Sequence, residues 1–126
     1  VVPASGAFKD FHGSIVVALF GDRAPFATSN RKLAEVPGRK VVRVDVDTRQ
    51  VSDFVYNTQG RPASELGRNV IALERPIDVK FGPDGAMYIL DYGQMRMREG
   101  QERIRPRSGR IFRLAPPAQP ATSPSP

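Results

Sequence analysis

The sequence predicts an all-β protein of small antiparallel sheets stacked face to face. Three observations carry that prediction. Its apolar runs are of strand length, rich in Val, Ile and Phe, and bounded by Gly, Pro and Asp. Helix signals are poor: the one polar stretch long enough to coil, Met95 to Arg105, has no apolar stripe. Finally, the chain repeats itself. "HGSIVVALFG" (His12–Gly21) overlays "DGAMYILDYG" (Asp84–Gly93), with Gly matching Gly at both ends. Downstream, Lys40–Asp45 overlays Arg110–Ala115.

The elements follow in order. Gly13–Phe20 is a continuous β-branched run. In Arg39–Asp47, Val42, Val44 and Val46 face one way and Arg43, Asp45 and Asp47 the other. Gln50–Asn57 follows closely enough to form a hairpin. Ile77, Val79 and Phe81 share one face of the next strand. Pro83-Asp84-Gly85 is a turn: Pro presets φ, Asp caps locally and Gly accepts positive φ. It leads into Ala86–Tyr92, apolar on both faces, and Gly109–Leu114 closes the set.

A strand that is apolar on both faces is covered on both. Repeated units of such strands suggest the stacked blades of a β-propeller. The expected architecture is a partial β-propeller of about two four-stranded antiparallel blades, over residues 7–57 and 75–114 of a 1–114 domain. The innermost strand of the first blade has to come from Val1–Phe11. Residues 115–126, rich in Pro and Ser, read as a disordered tail or linker. Two blades cannot close a ring, so the expected partners are further blades of a longer parent.

The 126 residues carry a formal charge of +6, and fifteen of the nineteen basic residues are arginine. Six arginines lie between Arg96 and Arg110. No aromatic residues interleave with them as stacking platforms would, so they read as a solvated loop and no nucleic-acid partner is expected. There is no cysteine and hence no thiol chemistry. No apolar run reaches the ~18–20 residues of a membrane span. Asp45, Asp47 and Asp53 lack the glycine and terminal glutamate of a calcium loop, and no metal site is expected. His12, the only histidine, aligns with turn residue Asp84 and reads as a turn residue.

The ordered series R-P-x-D-V, P-D-G-A-x-Y, D-Y-G and G-R-I-F-R, over roughly Phe11 to Leu114, resembles the C-terminal blades of the glucose/sorbosone dehydrogenase family. That resemblance implies a six-bladed parent, an exported (periplasmic or secreted) location and oxidation of a sugar with pyrroloquinoline quinone. It implies that this segment alone is inactive and holds no cofactor, because the catalytic histidine, the calcium ligands and most of the cofactor site belong to earlier blades. Arg75 matches a quinone-contacting arginine before the innermost strand of the last blade. Two residues on, Ile77 stands where quinone-binding members carry a second arginine. Where the family has a lysine after the strand matching Gly13–Phe20, Arg23 is the nearest cation.

The candidate cofactor-binding residues are therefore Arg75 and Arg23. Arg75 has a local alternative, pairing with Glu74 or Asp78. Asp91 and Tyr92, at a strand exit, are candidates for a cleft that takes a sugar hydroxyl. The alternative for Asp91 is capping backbone amides of the following loop. A non-catalytic propeller that binds through its loops is the second functional expectation.

Overall fold

The computed structural model describes residues 1–21 and 38–116. Eight strands lie among them: β1 (Ile15–Leu19), β2 (Lys40–Val44), β3 (Val51–Val55), β4 (Pro76–Phe81), β5 (Met87–Asp91), β6 (Met95–Arg98), β7 (Gln101–Ile104) and β8 (Arg110–Leu114). A single helical turn, α1 (Ala63–Leu66), lies between β3 and β4. The strands form three antiparallel sheets, ordered β1-β2-β3, β4-β5-β8 and β6-β7, none of them closed. The protein is all-β, as its strand-length runs predict.

Local chemistry sets the turns. Between β2 and β3, the Asp45 carboxylate accepts the backbone N–H groups of Asp47 (3.1 Å) and Thr48 (3.0 Å). Between β4 and β5, the Asp84 carboxylate accepts the N–H of Ala86 at 3.1 Å, and Gly85 N–H donates to the Gly82 carbonyl. Gly85 has φ +75°, and a Cβ there would lie 2.7 Å from Gly6 Cα. Only glycine allows the N-terminal segment to lie against this turn, where Ala7 N–H donates to the Gly85 carbonyl.

The sequence repeat is kept as strand pairing. Ile15 pairs Val44 and Leu19 pairs Lys40 in the first sheet; the repeat-related Met87 pairs Leu114 and Asp91 pairs Arg110 in the second. The core lies between the two sheets. Val16, Val41, Phe54 and Val55 come from the first; Val79, Phe81, Met87, Ile89, Phe112 and Leu114 from the second. Met87, Ile89 and Val41 are fully buried.

The two sheets do not meet through the same face of the repeat. In the first sheet, Val16 pairs Arg43 and Ala18 pairs Val41, on the core side. Their repeat counterparts Tyr88, Leu90, Ile111 and Arg113 lie on the side of the second sheet away from the core, where Tyr88 pairs Arg113 and Leu90 pairs Ile111. The core side of the second sheet corresponds instead to Ile15, Val17, Val42 and Val44, on the outer side of the first. The sheets are thus stacked front to back.

Two expectations about strands are corrected. Val1–Phe11 supplies no strand. Residues Lys9–Phe11 form a 3₁₀ turn, and Phe8 wedges edge-on against Phe54 (6.0 Å) and Phe81 (5.8 Å), tying β3 to β4. Pro3 and Gly6 disfavour a strand, and burying an aromatic ring rewards a wedge. Among the described residues each large sheet has three strands rather than four. The second correction is the β6-β7 hairpin, in a stretch read as a solvated loop. Glu99 (φ 51°) and Gly100 (φ 79°) make its turn, the pair of positive φ angles a tight hairpin uses. The tail reading falls on residues 117–126, outside the described residues.

Candidate functional site

At the end where β1, β3 and β5 finish and β2, β4 and β8 begin, basic residues stand at the strand entries. Arg39 and Lys40 enter β2, Arg75 precedes β4 and Arg110 opens β8. The β6-β7 hairpin adds Arg96, which sits directly opposite Arg103. Like charges placed opposite each other cost stability unless solvated or shared with an anion. The solvated arginine loop foreseen from sequence thus becomes part of a folded cationic rim.

Among the described residues three clefts open at this end: one of about 610 Å³, lined by Arg39, Lys40, Arg61, Asp53 and Glu65, and two others. The smaller, about 320 Å³, is lined by Arg39, Arg75 and Arg96 together with Ser64, Glu65, Glu74 and Gln94. The larger, about 750 Å³, has Arg68, Arg105, Arg107 and Arg110 on its walls and Glu74 and Asp91 in its lining. Both reach the size range of ligand pockets, roughly 300–1,000 Å³.

Arg75 is 4% exposed. Its guanidinium lies 4.9 Å from the centre of the Phe20 ring, and its Nη1 donates to the Phe20 carbonyl at 3.4 Å. Phe20 meets Tyr92 edge-to-face at 5.7 Å, and Tyr92 N–H donates to the Arg75 carbonyl at 2.9 Å. Phe20 and Tyr92 are repeat counterparts, so the front-to-back stack brings the same position of both repeats to one arginine.

Arg39 was missed from sequence. Its backbone is left-handed (φ 58°), and its Nε is buried without a hydrogen-bond partner among the described residues. A left-handed arginine costs on the order of 1–2 kcal/mol, and strain of this kind clusters at ligand sites. The repeat held a signal: Arg39 aligns with Gly109, so an arginine replaces a glycine at the entry to the equivalent strand.

Asp91 is a buried anchor, 2% exposed. Its carboxylate accepts the backbone N–H groups of Glu74 (2.7 Å), Arg75 (3.0 Å) and Gly93 (2.8 Å). It holds the peptide that carries Arg75 and fixes the exit of β5, the amide-capping alternative. Beside it, the buried Glu74 carboxylate accepts Ser64 N–H (2.8 Å) and Oγ–H (3.0 Å), which ties α1 to β4. Asn57 closes the β3–β4 crossover, donating to the Arg61 and Leu73 carbonyls and accepting Leu73 N–H, each at 2.8 Å. Arg23 lies outside the described residues. His12 sits in the turn before β1, at the opposite end from the clefts. Among the described residues no group of three metal-ligating side chains forms, and no helix is long and apolar enough to cross a membrane.

The far end of the second sheet carries a separate polar cluster. Asp84 accepts from Tyr88 Oη–H (2.8 Å) and Arg113 Nε–H (3.0 Å), and pairs with Arg113 Nη2 at 2.9 Å. The Tyr88 and Ala86 hydrogen bonds, then Arg113, hold its carboxyl below the usual aspartate range. No protein family, curated protein or solved structure matches the chain.

Proposed function

We propose that the chain is a two-blade segment of a β-propeller related to the glucose/sorbosone dehydrogenases, and that its cationic end holds an anionic ligand of the pyrroloquinoline quinone class. The front-to-back stack supports the propeller part, since successive blades of a propeller meet in that sense. The observation that carries the ligand part is the convergence of Arg39, Arg75 and Arg96 on one cleft, with the Arg39 Nε buried and without a hydrogen-bond partner among the described residues. Planar guanidinium groups match carboxylates by paired, charge-assisted hydrogen bonds. When bound, such a quinone supplies the hydride acceptor for oxidation of a sugar. This segment would contribute binding and positioning, in an exported parent whose other blades carry the base.

A specific observation favours a second reading, a binding module without chemistry. Ile77 stands where quinone-binding members carry a second arginine, so this segment offers fewer cationic contacts to a quinone than theirs does. One titration addresses the ligand in both readings. Calorimetry of the full-length parent with pyrroloquinoline quinone should give saturable binding, weakened about tenfold or more by Arg39→Gln or Arg96→Gln, the scale of one charge-assisted contact. A quinone lacking carboxylates should not bind. No saturable binding, or binding indifferent to both substitutions, would sink the ligand proposal. Sugar-dependent reduction of the quinone by the full-length parent then separates the enzyme from the binding module.

A further inference from the structure

The β6-β7 hairpin pairs with neither large sheet and stands at the end where β5 finishes and β8 begins. Its register sorts its side chains onto two faces. Arg96 sits opposite Arg103 and Arg98 opposite Gln101; Met95 sits opposite Ile104 and Met97 opposite Glu102. Directly opposed residues share a face, and neighbours along a strand alternate. One face therefore carries Arg96, Arg98, Gln101 and Arg103 and no acidic residue. At the base of the ribbon, Arg105 N–H donates to the Gln94 carbonyl (3.0 Å) and Arg105 Nη1 to Gln94 Oε1 (3.2 Å), which continues the same face. Ser108 pins this base, its Oγ accepting Gln94 N–H (2.9 Å) and donating to the Arg105 carbonyl (2.7 Å).

Gln94 and Arg105 also line the larger cleft, so the arginine face runs into it, and Arg68, Arg107 and Arg110 carry the positive charge on across its walls. The two carboxylates in that lining are already held: Asp91 accepts three backbone N–H groups, and Glu74 accepts from Ser64. The ribbon and both walls of the cleft come from residues 63–110, inside the chain, and the track they form is no part of either face of the two large sheets. Alternate residues along a strand stand about 7 Å apart, so the charges lie in a line longer than one small anion reaches. A linear polyanion can lie between Arg96 and Arg103, offset their repulsion, and enter the cleft as one molecule.

Composition sorts the polyanions. No aromatic side chain lies on the ribbon's arginine face or in the cleft lining, whereas single-stranded nucleic acids are held by stacking on aromatics. The ribbon turns at Glu99-Gly100, and Glu102 lies on its other face. A duplex groove or an anionic bilayer would set its phosphates against these carboxylates. Guanidinium forks match carboxylate and sulfate oxygens in pairs, and the amides of Gln94 and Gln101 on the same face suit hydroxyl groups. We propose that the arginine face of the β6-β7 ribbon and the larger cleft form one track that binds an acidic polysaccharide, bearing carboxylate or sulfate groups. The inference is independent of quinone binding, because Arg98, Arg103 and Arg107 lie outside the smaller cleft.

Fluorescence anisotropy tests it, with the full-length protein that carries this segment titrated into labelled oligogalacturonate and into labelled dextran sulfate. The uronate polymer, the sulfate polymer or both should bind saturably, which also says which acid the track takes, and uncharged dextran should not bind. Affinity should fall steeply with salt. Arg98→Gln with Arg103→Gln should weaken binding about tenfold, the scale of two exposed ionic contacts, and Arg107→Gln should weaken it severalfold. Arg49→Gln with Lys80→Gln removes the same two charges toward the other end of the sheets and should leave binding unchanged. All five side chains are exposed, and far-UV circular dichroism reports that each variant is folded. Binding to neither polymer overturns the proposal. So does an Arg49→Gln with Lys80→Gln variant weakened as much as the ribbon pair, which indicates attraction to net charge alone. Tighter binding of single-stranded DNA or of polyglutamate overturns it too, and assigns the track to a nucleic acid or an acidic protein segment. A protein that binds quinone but neither polysaccharide refutes this inference alone.

Discussion

Replacing Asp91 with Asn tests the anchor beneath the cationic clefts. Asp91 Oδ1 accepts two backbone N–H groups, from Arg75 and Gly93, and Oδ2 accepts a third from Glu74 at 2.7 Å. An asparagine that keeps its carbonyl toward Arg75 and Gly93 must present NH₂ to the Glu74 N–H, donor against donor. That removes one buried hydrogen bond to a charged acceptor and leaves an N–H unsatisfied, a cost of about 1.5–3 kcal/mol. Ala in the same place strands all three donors and costs about 3–6 kcal/mol, comparable with the total stability of a small domain, about 5–15 kcal/mol. Urea denaturation followed by circular dichroism measures both. Asp91→Asn should lower the midpoint with the slope unchanged, and Asp91→Ala should be largely unfolded in buffer. If both variants stay within about 0.5 kcal/mol of wild type, as surface substitutions do, the three amide contacts carry no stability. Asp91 would then have to be reconsidered as a ligand of the cleft it lines.

Two further outcomes follow from the other turns. The Asp84 carboxyl is held low by Tyr88, Ala86 and Arg113, so its stabilisation is present above the ordinary aspartate pKa and is lost as pH falls through the folded value. Asp84→Asn should therefore be less stable than wild type at neutral pH, with the gap closing in acid; a gap independent of pH would refute this account. Gly85→Ala should cost more than Gly100→Ala. Both glycines have left-handed φ, but a Cβ at Gly85 meets Gly6 Cα at 2.7 Å and one at Gly100 meets nothing within 4 Å. Equal thermal shifts for the two would mean the N-terminal segment is not held against the β4–β5 turn.

Much of the fold was legible because periodicity and turn chemistry act locally. Six of the eight described strands coincide with runs visible in the sequence. The Val1–Phe11 wedge was not legible, since its shape depends on Phe8 finding Phe54 and Phe81, both distant in sequence. The β6-β7 hairpin was hidden by its charge: Met95, Arg96, Met97 and Arg98 alternate as a strand does, yet the six arginines of the region drew the reading toward a loop. At the site, Arg75 was found through a motif. Arg39 needed a backbone angle and a buried Nε that no composition reveals.

The repeat also separates what sequence determines from what position in the stack determines. Ile15 and Val17 are chemically close to their counterparts Met87 and Ile89, yet the first pair is about two-fifths exposed and the second fully buried. Intrinsic hydrophobicity cannot produce that difference, because all four are large apolar residues on the same face of equivalent strands. The difference lies in whether another sheet stands in front of them. A polar substitution would cost little at Ile15 or Val17 if that face met only water, and burial of apolar area is worth about 25 cal/mol per Å² only where a partner removes it from solvent. Apolar side chains on the uncovered counterpart of a buried face are accordingly what a sheet that receives another sheet requires, and the front-to-back sense of the internal stack specifies which face that other sheet presents.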